Sequence, residues 1–197
     1  IMKVSVTTIS VPELDVDLLL IPLTREQADG SMADLAAGFG GSVRRSAPDF
    51  SGDPDSSLLL YPETGSARRV ALLGLGAADR VDAEALRVAS ARGADLARSA
   101  KAETVGIAMG SWDLDAENAA QALVEGFILG AYRFNRYRTT VQEESTLQRL
   151  VLQASDKDKA VRRGAERGRV VSESVCSARD LVNLSPDEKT PTLFARA

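Results

Sequence analysis

Apolar residues recur along this chain in two rhythms, and the switches between them set the expected order of elements. A period of two, or a short apolar run bounded by turn residues, marks a strand, while a period near 3.6 marks one face of a helix. KVSVTTIS (3–10) alternates Val4 and Val6 with polar neighbours, and DLLLIPL (17–23) is a compact apolar run ended by Pro22; both predict strands. SMADLAAGF (31–39) places Met32, Leu35 and Phe39 at helical spacing, with Gly38, Gly40 and Gly41 as the stop. The polar stretch 46–57 predicts a loop, SLLLYP a strand from Ser57 to Tyr61, and RRVALLGLG (68–76) a buried strand closing on two glycines. Leu86, Ala89, Gly93, Leu96 and Ala100 then share a helical stripe, and TVGIAM (104–109) returns as a strand.

A second stripe of Ala116, Ala120, Leu123, Phe127, Ala131 and Phe134 predicts a helix with Asp115 as its N-cap, and LQRLVLQA (147–154) predicts a further strand. The last long helix is expected from about Asp158 to Asn183, with Val161, Ala165, Gly168, Val171, Val175, Ala178 and Val182 in one phase throughout. At 1.5 Å per residue that is a rod of roughly 35–40 Å, far longer than the mean helix and suited to connecting two bodies. Pro186 stops it, and a new helix is expected at Thr192 with Thr190 or Thr192 as cap. Strand–helix–strand units make parallel neighbours through right-handed crossovers, so the fold class is α/β. The expectation is a mixed, mainly parallel sheet of about six strands flanked by helices. It assigns 1–157 to an α/β domain and 158–183 to a connector helix.

Composition narrows the chemistry. Hydrophobic residues are 44% and charged residues 26% of 197, an ordinary globular balance, but aromatics are only 5%, so packing must rest on Ala, Val and Leu. A net charge of -4 offers no global basic field for phosphates. The lone Cys176 excludes an internal disulfide, and no charged-then-apolar leader precedes Lys3, which together set the expectation of a reducing cytoplasm. No apolar run approaches the roughly 20 residues of a membrane span. The absence of histidine removes Ser/His and Cys/His pairs and His-ligated zinc.

Candidate sites are few. GLGAAD (74–79) ends a strand where phosphates bind in dinucleotide folds, but it lacks a third glycine and a following lysine, so a tight turn is the favoured reading. Asp53/Asp55, Asp113/Asp115 and Asp156/Asp158 read as solvated turns rather than hard-metal ligands. Cys176 reads as a packed, inert thiol. YRFNRYR (132–138) and RRGAERGR (162–169) are basic, but Glu143, Glu144, Glu166 and Glu173 lie near them in sequence, which favours a solvated or interface surface. Gly126 and Gly130 share a helix flank that suits close approach by another element.

EGFILGAYRFNRYRT (125–139) and ARDLVNLSPDEKTP (178–191), with VALLGLG (70–76) ahead of them in the same order, resemble signature regions of the leucyl (cytosol) aminopeptidases. The sequence departs from the usual residues of that family at Ser185, Asp187 and Lys189, all in the linking segment. The resemblance implies an N-terminal domain of macro-domain-like fold, joined by a long helix to a larger C-terminal domain that carries the chemistry and of which 184–197 would be the start. There two divalent metals, zinc or manganese, held by Lys, Asp and Glu, activate a water that cleaves the first peptide bond. It also implies a homohexamer whose absent domain binds the peptide substrates. On this reading no catalytic, metal-binding or cofactor-binding residue is expected in this chain, whose partner is the catalytic domain in cis, and the chain alone is inactive. Arg179 and Asp180 become candidates for an ion pair with that domain, with a surface role as the alternative. Two rival readings remain: a nucleotide or ADP-ribose pocket near the loop after Leu73, and a DNA track through Arg133, Arg136, Arg138, Arg162 and Arg163.

Overall fold

The structure is a computed structural model that describes residues 2–139, 146–155 and 159–194. Among these, six strands form one sheet in the order β1-β6-β5-β2-β4-β3, where β1 is Lys3–Thr7, β2 Leu18–Leu23, β3 Ser57–Leu60, β4 Val70–Gly74, β5 Thr104–Ala108 and β6 Arg149–Gln153. Every neighbouring pair is parallel except β3 with β4. The helices are α1 (Arg25–Phe39), α2 (Gly41–Ser46), α3 (Ala83–Ser99), α4 (Ala116–Ala131), α5 (Lys159–Asn183) and a short α6 (Pro191–Phe194). The α/β class and the mixed, mainly parallel sheet expected from the sequence are therefore found.

Side-chain alternation along the central strands divides the core into two faces. Leu18, Leu20, Ala71 and Leu73 point to one side, where Leu86, Leu123, Phe127 and Val161 of α3, α4 and α5 cover them. Leu19, Ile21, Leu23, Val70 and Leu72 point to the other, against Met32, Phe39, Val43 and Phe50. β2 is buried at all six positions, although Pro22 lies inside it rather than ending it. Leu19 N–H and Leu23 C=O both bond on the β4 side, so Pro22, one residue out of phase, turns its missing donor toward β5. Pairing with β5 has already ended at Leu20–Ile107, so the proline breaks no ladder bond.

The helical layer is thin because backbone meets backbone. A Cβ on Gly126 would lie 2.2 Å from the Arg87 carbonyl oxygen of α3, and one on Gly164 would lie 2.1 Å from the Glu117 carbonyl oxygen of α4. These close approaches, expected for the Gly126 and Gly130 flank, replace the bulk that aromatic residues would otherwise supply. The charged pair Arg87–Glu125, 2.7 Å apart, locks the α3–α4 crossing, and a 2.6 Å hydrogen bond from the Gln121 amide satisfies the second oxygen of Glu125.

Several expectations shift. The helix predicted from Ser31 starts six residues earlier, because the Thr24 hydroxyl accepts from Gln27 N–H while the Gln27 side chain accepts from Thr24 N–H. That capping box lies ahead of the apolar spacing used to place the helix. α2 fills what was read as a stop and the start of a loop. β1 ends at Thr7 rather than Ser10. In α3 the buried stripe moves onto Ala94 and Ala97, leaving Leu96 and Ala100 half-buried. Asp115 caps α4 through a bond from Asn118 N–H, but α4 closes at Ala131, so Phe134 lies beyond it and is only half-buried. α6 starts at Pro191, the ring taking the first helical position where no N–H is needed.

The long helix is described from Lys159, within one residue of its expected start; Asp158 lies outside the described residues. Its single apolar phase is not buried throughout. Val161, Gly164, Ala165, Gly168 and Ser172 are buried, whereas Val171 and Val182 are 39% and 73% exposed.

Candidate functional site at the end of the long helix

Tyr132 caps the C-terminus of α4: its backbone N–H still bonds to Ile128 O while its dihedrals leave the helical region. Arg133 then bends back: its guanidinium donates to the Gly130 and Tyr132 carbonyl oxygens at 2.9 and 2.7 Å and pairs with Asp95 of α3 at 2.8 Å. A cation on the last carbonyls suits the negative end of the helix, and here it also ties α3 to α4.

The exit this fixes lies against the end of α5. The Tyr132 hydroxyl donates to Asp180 at 2.8 Å, the Asn183 amide donates to the same hydroxyl at 3.3 Å, and the Arg179 guanidinium sits 5.5 Å over the ring centre. Burial, followed by the Asp180 hydrogen bond, raises the Tyr132 pKa above the usual phenol value, so the hydroxyl remains a donor. One turn on, Ser185 N–H donates to the Tyr137 hydroxyl at 2.7 Å, and the Tyr137 ring packs edge-on against Phe134 with centroids 5.6 Å apart. Arg136 pairs with Glu188 at 3.0 Å. The Lys189 ammonium donates to Val182 O at 2.6 Å, giving the lysine that departs from the family pattern a local role as C-terminal cap of α5.

The two stretches that carry the family resemblance, 125–139 and 178–191, are thus one structural unit, a brace holding the end of α5 and the turn after it. Arg179 and Asp180, expected as partners for groups elsewhere, are both engaged by Tyr132. Sequence spacing did not reveal this, because the contacts span 48 to 51 residues. The available signal was that two of the three tyrosines fall five residues apart among arginines just past a helix end.

The other candidates are spent elsewhere. At 74–79, Gly74, Leu75 and Gly76 N–H donate to Ser56, Leu23 and Gly52 carbonyls, and Ala78 N–H to Glu26. A Cβ at Gly74 would lie 1.9 Å from Asp53 O, so the loop after Gly52 occupies the space a phosphate would need. The adjoining hollow of about 570 Å³ carries Asp79, Asp82 and Glu84 beside Arg25 and Arg80, a poor field for a nucleotide. Asp53 bonds to Arg25 and Ser51, Asp55 pairs with Arg92 at 3.5 Å, and Asp115 caps α4. The pair Asp156/Asp158 lies outside the described residues, as do Glu143 and Glu144. Arg133, Arg136 and Arg163 each pair with a carboxylate, Arg163 with Glu117 at 2.6 Å, which neutralises much of the suggested DNA track. Cys176 packs half-buried against the core, and burial pushes its thiol pKa up, away from reactivity.

Among the described residues no three carboxylate, thiol or imidazole groups converge in a way that would hold a metal ion. The donors present do not fit a two-metal centre, and no catalytic step is assigned to them.

Comparison with known proteins gives the brace its context. Residues 25–140 match the cytosol aminopeptidase family, N-terminal domain. A probable cytosol aminopeptidase of Chloroherpeton thalassium is 33% identical over 216 residues, which take in 98% of this chain and 42% of that protein. One from Roseiflexus castenholzii is also 33% identical, over 98% of this chain and 39% of its own length. Among solved structures, a mutant of tomato leucine aminopeptidase superposes with a TM-score of 0.83 at 26% identity, covering 99% of this chain and 41% of that one. The bottromycin maturation enzyme BotP gives 0.70 at 26% identity, over 91% of this chain and 35% of its own. The chain therefore spans well under half the length of these relatives, and it belongs to the cytosol aminopeptidase family, whose N-terminal domain it carries.

Proposed function

We propose that this chain is the non-catalytic N-terminal domain of a metal-dependent leucyl aminopeptidase, which removes N-terminal amino acids from peptides in the cytoplasm. The portion ahead of α5 forms its α/β body, α5 is the connector, and the segment from Leu184 leads into a C-terminal domain in cis. The two divalent metals, zinc or manganese, and the peptide site belong to that domain. The N-terminal domain acts by orienting its partner, in hexamer assembly or in shaping access to the peptidase site.

One observation carries this reading: the brace that unites 132–137 with 179–188 fixes the direction in which the chain leaves α5. The family match and the 35–42% coverage of the relatives support the same division.

The test is hydrolysis of a leucyl-anilide with added manganese or zinc. The 197-residue chain is expected to give no turnover, and the protein continued through its C-terminal portion is expected to give clear turnover. Hydrolysis by the 197-residue chain itself overturns the proposal.

A further inference from the structure

The second half of α5 carries apolar residues that its own domain leaves largely uncovered. Val171, Val175, Ala178 and Val182 fall on one face by helical spacing. That face looks outward: Val171 is 39% and Val182 73% exposed, Ala178 is exposed and Val175 half-buried. The side turned to the domain carries Ser172, buried and bonded to Gly168 O, and Cys176, half-buried against the core, while the exposed Asp180 and Asn183 bond to Tyr132. In the first half of the helix the relation is normal, with Val161, Gly164, Ala165 and Gly168 buried against α4. The outward stripe is therefore continuous with an established helix interface, and it begins where that interface gives out.

We infer that the stripe Val171–Val175–Ala178–Val182 is a docking surface for an aliphatic patch on the C-terminal domain of the same polypeptide. This rests on the reading that a peptidase domain follows in cis. The occupant is chosen by connectivity and by length. The chain leaves α5 at Asn183, immediately beside the most exposed valine, and the relatives carry more than half of their length outside the portion matched here. The brace supplies the rest of the argument. By engaging Asp180 and Asn183, Tyr132 sets the rotation of the helix, and with it the direction in which the four apolar residues point.

The experiment replaces Val171 and Val182 together by Asp, in the 197-residue chain and in the full-length protein, and follows thermal unfolding. In the full-length protein the pair is expected to lower the midpoint by roughly 5 °C, while in the shorter chain it moves the midpoint by less than about 1 °C. Protease cleavage within 184–190 is expected to quicken several-fold in the full-length variant alone. Val88→Asp, at an exposed valine on α3, moves neither midpoint and serves as the control for an added charge. Equal shifts in the two chains, or no shift in either, overturn the inference. So does a concentration-dependent dimer of the 197-residue chain that the Asp pair dissociates, because it gives the stripe to a second copy. Leucyl-anilide hydrolysis by the unaltered full-length protein reads the peptidase assignment separately. Turnover without a midpoint shift removes the docking surface alone, and a midpoint shift without turnover removes the peptidase assignment alone.

Discussion

Tyr132 does three things from one ring: its hydroxyl donates to Asp180, the same oxygen accepts from Asn183, and its face carries Arg179. Tyr132→Phe keeps the ring and removes only the oxygen, so packing and the cation contact remain while both hydrogen bonds go. A hydrogen bond to a charged group at a half-exposed site makes a loss of about 1 kcal/mol the expected cost, seen as a lower urea midpoint. The local consequence should be larger than the global one, since α5 stays anchored through Val161 and Ala165 while its last turns loosen. Faster proteolysis after Val182 in the variant, with the first half of the helix still protected, is the expected result; an unchanged cleavage pattern would show that the hydroxyl does not hold the joint. None of this was legible in the sequence. The family resemblance made Arg179 and Asp180 candidates for an ion pair with a following domain, with a surface role as the alternative, and periodicity cannot name a tyrosine 48 residues away.

Elements were far more legible than contacts, and the reason is physical. Six strands were readable because β2, β4, β5 and β6 lie in the buried interior of a parallel sheet, where short apolar runs bounded by turn residues stand out from both helix and loop patterns. The failures fall where something other than apolar spacing sets a boundary. The start of α1 depends on a reciprocal Thr24–Gln27 cap, and the end of α4 on Arg133 reaching back to two carbonyls. The continuous stripe of α5 was correctly read as apolar, yet a single sequence cannot say which part of such a stripe its own domain covers. Glycine provides a paired test at this scale. Gly126→Ala drives a Cβ into the Arg87 carbonyl across two packed backbones, and overpacking of that kind costs about 1–3 kcal/mol. Gly30→Ala, in the middle of α1 with nothing within 4 Å of the added carbon, should instead stabilise by about 0.5–1 kcal/mol through helix propensity. Urea unfolding that moves both variants in the same direction would contradict the packing described for α3 and α4.

For the whole molecule, the most unusual feature of the composition, the absence of histidine, makes a prediction about pH. With no imidazole, no side chain of ordinary pKa changes charge between roughly pH 5.5 and 8, so stability should be level across that range. Below it, four carboxylates among the described residues carry depressed pKa values. Glu63 is held down first by its hydrogen bond from Arg45, Glu166 by Arg169, Asp53 by Ser51 and then Arg25, and Glu26 by its own backbone N–H and then Thr24. A carboxyl whose folded value lies below its unfolded one binds fewer protons when folded. Its stabilisation is complete above the unfolded values, 4.5 for Glu and 3.8 for Asp, and is lost as pH falls through the folded ones. Above the level range Cys176 acts with the opposite sign. Burial raises its pKa from the usual 9.0, so the folded chain keeps a proton that the unfolded chain gives up, and stability declines as pH rises from there. The expected urea midpoint is therefore flat from about pH 5.5 to 8, falls on the acid side below about 4.5, and falls on the alkaline side from about 9. Cys176→Ala should lessen the alkaline fall and leave the acid limb in place. A step between roughly pH 6 and 7.5 in the unaltered chain would require a group titrating there that the sequence does not supply, and would overturn this account of its electrostatics.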